Sequence, residues 1–218
     1  MTWLDELRLV AITDLEQTTL SLLVERWQRL AASAREGAVA IDLRAPGQPA
    51  CQLVEIGTEL RRIARAHGQR LLINDRLDVM HLLEADGIHL REDSVAVADA
   101  RDYFQRFAAA TPLSRDGVIF RACHSVVSAA RSDADAIFLS PILEARKGNR
   151  ALGVEALREA RAALEHAGKA TRLFALGGVD ASRAAQCLAA GAHGVAAMGA
   201  ALGGESQLAL LDALGIRR

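Results

Sequence analysis

Cysteine is scarce in this chain: Cys51, Cys123 and Cys187 are the only three in 218 residues. They are far apart and form neither a Cys-x-x-Cys pair nor the Cys/His spacing of a zinc site, which argues against both a disulfide framework and a structural metal. A reducing, cytoplasmic setting fits that usage. Charge of one sign is also missing, because 26 Lys plus Arg face 27 Asp plus Glu for a net charge of -1. Without a basic surplus there is no electrostatic footprint for nucleic acid. No apolar run approaches the roughly 20 residues that a membrane-spanning helix requires. The first eight residues carry Asp5 and Glu6 where a secretion signal would carry positive charge, so neither membrane nor export is expected. Pro-, Gly- or Ser-rich linkers and low-complexity segments are absent as well, and the expectation is a single domain over residues 1–218.

What is present is a regular alternation of short apolar runs with longer amphipathic stretches, the pattern of a parallel sheet connected by helices. The strand candidates are Leu7–Thr13, Ala38–Leu43, Arg70–Ile73, Gly87–Leu90, Val118–Cys123, Ala136–Leu139, Arg172–Leu176 and Gly194–Met198. Between the second and third, Leu53, Ile56, Leu60, Ile63 and Ala64 recur at helical spacing and define one apolar face. Ala85-Asp86-Gly87, Ala134-Asp135-Ala136 and Ala192-His193-Gly194 each lead from a helix end into a strand, a weak internal echo of repeated β/α units. Eight strands suit a closed (β/α)8 TIM barrel, with an open doubly wound sheet as the competing α/β architecture, since periodicity alone does not show closure.

In such barrels the chemistry sits at the C-terminal ends of the strands. The seventh strand runs into Gly177-Gly178-Val179-Asp180, where paired glycines let backbone approach a ligand and the next helix offers N–H groups to an anion. The eighth runs into Met198-Gly199, and phosphate sites in this fold are often shared between these two loops. The alternative is a tight turn with Asp180 as a helix cap. Beyond the third strand, Asn74, Asp75 and Arg76 put an amide, a carboxylate and a guanidinium together, suited to Mg²⁺ or polar ligand groups, or to Asp75 capping the next helix and pairing with Arg76. His124 ends the fifth strand as a candidate acid or base. Cys123 beside it points to the opposite face, so the two do not form a nucleophilic dyad. His89 is expected in the barrel interior or the adjacent layer, and His193 at the opposite, structural face.

Taken in order, these segments resemble the thiamine phosphate synthase/TenI superfamily. Leu9-Val10-Ala11-Ile12-Thr13-Asp14 is similar to its first strand, and Leu72-Ile73-Asn74-Asp75-Arg76 followed by Ala85-Asp86-Gly87-Ile88-His89-Leu90 to its third and fourth. Cys123-His124-Ser125, Ser140-Pro141-Ile142, Ala175-Leu176-Gly177-Gly178-Val179 and Gly194-Val195-Ala196-Ala197-Met198 resemble its later motifs. The resemblance implies a barrel, commonly a homodimer, that binds a phosphorylated thiazole. It implies that Gly177, Gly178, Met198 and Gly199 hold the phosphate, that Arg44, Asn74, Asp75 and Lys147 contact ligand, and that Asp75 binds Mg²⁺ if the synthase reaction is run.

Several departures bear on which reaction is run. The family's Gln-Leu-Arg-Glu-Lys is Asp42-Leu43-Arg44-Ala45-Pro46 here, so a pyrophosphate-binding lysine has become proline. Its Gly-Gln-Glu/Asp-Asp is Arg91-Glu92-Asp93-Ser94, with Ser94 at a carboxylate position that Asp93 fills only if the loop shifts by one residue. Its Pro-Thr-x-Thr-Lys is replaced by a loop containing Glu144-Ala145-Arg146-Lys147, and Gly199 stands where serine is usual. These losses favour the TenI branch, a thiazole tautomerase that needs no cofactor and uses His124 to move a proton. Thiamine phosphate synthase activity with Mg²⁺ is the alternative, and a non-catalytic ligand-binding protein the third reading.

Overall fold

The computed structural model describes residues 2–107, 117–146 and 148–218. Eight parallel strands close into a barrel in chain order: β1 (Leu9–Ile12), β2 (Val39–Leu43), β3 (Arg70–Asn74), β4 (Gly87–Leu90), β5 (Val118–Cys123), β6 (Ala136–Leu139), β7 (Arg172–Leu176) and β8 (Gly194–Ala197), with β8 paired back onto β1. All eight strand candidates are found and the open sheet is ruled out. The expected first strand is trimmed at both ends, and β3 extends one residue further, to Asn74.

Around the barrel run α1 (Leu20–Ser33), α2 (Ala50–Ala66), α3 (Leu77–Leu83), α4 (Val97–Phe107), α5 (Val126–Arg131), α6 (Glu155–His166), α7 (Ala181–Ala189), α8 (Gly199–Leu202) and α9 (Glu205–Ala213). The apolar face read in α2 is the one it buries: Leu53, Ile56, Leu60, Ile63 and Ala64 all lie in the core. Helix α1 buries Leu23, Trp27, Leu30 and Ala31, and the Trp27 indole N–H donates to the Leu60 carbonyl at 3.0 Å, tying α1 to α2. No described helix is long and apolar enough to cross a membrane.

Because side chains alternate along a strand, the sheet feeds two separate cores. Leu9, Ala11, Ile119, Leu173 and Ala175 face the helices. Val10, Ala40, Leu72, Phe120, Phe138 and Phe174 face inward and fill the barrel. The last three form a tight aromatic plug: Phe120 and Phe138 stack with centroids 4.9 Å apart, and Phe174 lies 5.6 Å and 5.9 Å from them. Below the plug, His193 sits at the structural end of the barrel, as expected. Arg8 Nη1 lies 2.8 Å from its Nε2. The Leu4 carbonyl oxygen lies 3.1 Å from the same nitrogen. Burial, ahead of the Arg8 charge, pushes this imidazole down to about 4.

Candidate functional site

Continuing the inward-facing positions past the plug, two residues at a time, leads to the mouth. Phe120 is followed by Ala122 and His124, Phe138 by Ser140, Phe174 by Leu176, and Ala196 by Met198. On the other side, Val10 leads to Ile12, Leu72 to Asn74, and His89 to Arg91. These residues line one cavity of about 500 Å³, together with Arg44, Glu92, Arg146, Asn149 and Gly177.

Each is held by identifiable contacts. Thr13 is buried, donates its hydroxyl to the Arg44 carbonyl at 2.9 Å and accepts the Arg44 N–H at 2.8 Å, which fixes the backbone from which Arg44 projects. The Asn74 amide donates to the His89 carbonyl at 3.2 Å. His124 Nδ1 lies 2.9 Å from the Ser140 carbonyl oxygen, which can only accept, so Nδ1 carries a proton and donates it. The His124 backbone N–H donates to Glu92 at 3.0 Å. Burial raises the Glu92 pKa, but the Ser128 hydroxyl, the His124 N–H and the neighbouring His124 and Arg121 outweigh it and leave this carboxyl below its ordinary value. Arg121 clamps the same loop, donating to the Glu92 carbonyl at 2.7 Å and the Val95 carbonyl at 2.5 Å. Cys123 points away into the outer core, where burial drives its thiol up to about 11 and keeps it protonated, so no thiolate meets His124.

Beneath the mouth, His89 Nδ1 meets the fully buried Asp42 carboxylate at 2.6 Å, and its ring packs edge-on against Phe138 at 4.6 Å. His89 Nε2 and Asp42 Oδ1 are buried without a partner among the described residues. His89 is therefore in the interior, as expected, but at its upper end, where it also borders the cavity.

A second, smaller hollow of about 240 Å³ adjoins the first, bounded by Gly177, Gly178, Asp180, Met198, Gly199 and Ala200, with Glu144 and Arg146 on its rim. Gly177 and Gly178 have φ of +103° and +72°, conformations that side chains rarely tolerate. A Cβ on Gly178 would also lie 2.5 Å from Glu144 Cγ. Asp180 caps α7 by accepting the Arg183 N–H at 3.0 Å. The Glu144 carboxylate is taken up by Arg183 Nη1 at 2.6 Å, which also donates to the Gly178 carbonyl at 2.9 Å.

The structure thus brings His124, Arg44, Asn74, Gly177 and Met198 to one cavity, with Gly178 and Gly199 in the adjoining cup. Asp75 is the correction: it does not line the cavity. It follows Asn74 at the opposite parity, has φ +58°, and accepts the Arg91 backbone N–H at 2.9 Å while its other oxygen pairs with the Arg91 guanidinium. It neither caps α3 nor pairs with Arg76, whose partner is Asp78. Lys147 lies outside the described residues. Arg91, Glu92 and Asn149 were not singled out as site residues from the sequence, although counting inward positions by twos from His89 reaches Arg91.

The class is thus a closed (β/α)8 barrel with a glycine-lined cup at its mouth, after the seventh and eighth strands. The profile of the family described as thiamine monophosphate synthase matches residues 9–201, and the chain belongs to that family. The thiamine-phosphate synthase of Moorella thermoacetica is 32% identical over 170 residues, covering 77% of this chain and 76% of that protein. That of Methanoculleus marisnigri is 34% identical over 178 residues, covering 80% and 78%. Among solved structures, a thiamine phosphate pyrophosphorylase from Pyrococcus furiosus superposes with a TM-score of 0.72 at 23% identity, covering 97% of this chain and 95% of that one. At that identity the superposition bears on the fold alone. The chain therefore belongs with the barrels of thiamine biosynthesis.

Proposed function

We propose that this protein is a thiamine phosphate synthase with a modified mouth, joining a pyrimidine methyl pyrophosphate to a thiazole phosphate. The observation that carries this reading is the convergence of Arg44, Arg91 and Arg146 on one cavity beside the glycine cup, in a chain 32–34% identical to proteins named for that reaction. In the reaction, the thiazole ring nitrogen forms a bond to the pyrimidine methylene carbon. The carbon–oxygen bond breaks, and its electron pair leaves on pyrophosphate. The protein's task is to orient the two rings and to stabilise charge on the departing anion. The thiazole phosphate is placed in the cup, against the backbone N–H groups of Gly177, Gly178 and the Met198-Gly199 turn. Asn74 and Arg44 orient the ring, and the guanidinium groups, with Lys147, receive the leaving anion.

The Mg²⁺ implied by the family resemblance does not fit the side chains present. Asp75 already spends both oxygens on Arg91, and the second carboxylate position holds Ser94.

The test is incubation with pyrimidine pyrophosphate and thiazole phosphate, with and without Mg²⁺, measuring thiamine phosphate. Turnover is the expected result, and its absence under both conditions overturns the reading. A second reading, thiazole tautomerase, is favoured by one observation: His124 stands on the cavity wall with its Nδ1 held by the Ser140 carbonyl. It predicts isomerisation of the unaromatised thiazole carboxylate phosphate, slowed by about 10²–10⁴-fold in His124→Ala, the usual contribution of a positioned base. Equal rates in the two proteins would remove His124 from that mechanism.

A further inference from the structure

We infer that the Arg91 guanidinium stands in the place of a divalent cation at the mouth, so that the anionic groups of the ligand are met by arginine and the protein acts without metal. The inference rests on the synthase reading above and names the group that replaces Mg²⁺ in it.

Arg91 occupies the site of a glycine in the family pattern, and Ser94 that of a carboxylate, so one loop has gained a cation and lost an anion. Asp75 Oδ1 accepts the Arg91 backbone N–H, and Asp75 Oδ2 and Asp93 Oδ1 both lie against the same atom, Arg91 Nε, the latter at 3.6 Å. A single tethered charge thus lies between the carboxylates of Asp75 and Asp93. A hard divalent cation takes carboxylate oxygens at close range and in regular geometry. Here it would have to displace an arginine anchored through its own backbone, and would find a neutral hydroxyl at position 94.

The guanidinium is also placed to act. Its side chain lines the ligand cavity, and its nearest approach to both Asp75 and Asp93 is through Nε. With Nε given to carboxylates, the outer edge of the fork presents donors in the planar arrangement that matches two phosphate oxygens. The loop that carries it is fixed in advance: Arg121 donates to two of its carbonyls, and Glu92 binds the His124 N–H. A donor set held in position before the reaction needs no reorganisation as charge develops on the leaving group.

The experiment uses the full chain and Mn²⁺ as a paramagnetic probe, followed by electron spin resonance, beside turnover measured with EDTA or with Mg²⁺. The wild-type protein should bind no Mn²⁺ tightly at the mouth, and its turnover should be unchanged by EDTA. The Arg91→Gly/Ser94→Asp double variant should gain one Mn²⁺ per chain with at least tenfold higher affinity, lost again on adding Asp75→Asn, and its turnover should become sensitive to EDTA. Circular dichroism confirms that the variants are folded. Stoichiometric Mn²⁺ binding by the wild type that Asp75→Asn abolishes would overturn the inference, as would wild-type turnover that stops in EDTA and returns with Mg²⁺. A folded double variant that gains no Mn²⁺ would overturn it too, because the position would then not be that of a cation. If the wild type shows no turnover under any condition, the synthase reading fails while the Mn²⁺ measurements still decide the fate of Arg91.

Discussion

Gly178 shows how little room the cup leaves for variation. Its φ of +72° disfavours any side chain, and a Cβ there meets Glu144 Cγ at 2.5 Å. Gly178→Ala is therefore expected to push the Glu144 side chain aside and tilt the backbone N–H groups of the turn. Steady-state kinetics should show KM for thiazole phosphate raised by about tenfold or more, the scale of a lost anion contact of roughly 1.5 kcal/mol, with the circular dichroism spectrum kept. An unchanged KM would move the phosphate out of the cup. The pairing of residues at this scale was only partly legible in the sequence. Strand parity alone puts Cys123 and His124 on opposite faces. The same parity separates Asn74 from Asp75, and following it would have placed only the first in the cavity. Nothing local in the sequence indicates that Asp75 is claimed by Arg91, sixteen residues on, because that contact depends on β3 and β4 being neighbours.

Among the helices, α2 was legible down to its buried residues, because five apolar positions on one face leave a single way to pack. The start of α7 was visible as well: an aspartate after two glycines is a natural cap, and Asp180 does accept the Arg183 N–H. The Ser182 hydroxyl, ahead of that N–H, holds the Asp180 carboxyl below its usual range. Replacing Asp180 with alanine should destabilise the protein by about 1 kcal/mol, the usual cost of a lost cap, seen as a lowered urea midpoint with an unchanged slope. A larger effect on substrate KM than on stability would show that the cap also holds the cup in shape. The segment after β6 was less legible, since residues 143–152 carry no strong periodicity. Its described part is ordered by backbone pairing: Leu143 N–H donates to the Gly177 carbonyl and Leu152 N–H to that of Pro141, at 2.9 Å and 2.8 Å. These bonds bring Arg146 to the mouth by contacts that sequence spacing does not encode.

For the molecule as a whole, closure of the barrel is what the sequence could only suggest, because a parallel sheet reads the same open or closed until its first and last strands meet. Closure also half-buries His193 at the end opposite the mouth, with a consequence for acid stability. Its pKa lies at about 4 in the folded protein against 6.5 ordinarily. Between those values the unfolded chain binds a proton that the folded chain refuses, so stability falls as pH falls through that window. Above about 6.5 the imidazole contributes nothing to the pH dependence, and below about 4 its loss is complete. The slope from this group is at most about 1.4 kcal/mol per pH unit, reduced by solvent access. Denaturant titrations at pH 7, 6 and 5 should show a shallower decline in His193→Gln than in the wild type. Parallel declines would assign the acid sensitivity to other groups.

The three phenylalanines that stop the barrel have a kinetic meaning. With the interior blocked, the vessel has a single door: whatever enters at the mouth leaves by the mouth. A lingering product therefore bars the next substrate, and inhibition by product should be competitive with the substrate whose place it holds. Turnover is governed at that shared threshold, where departure has to precede arrival.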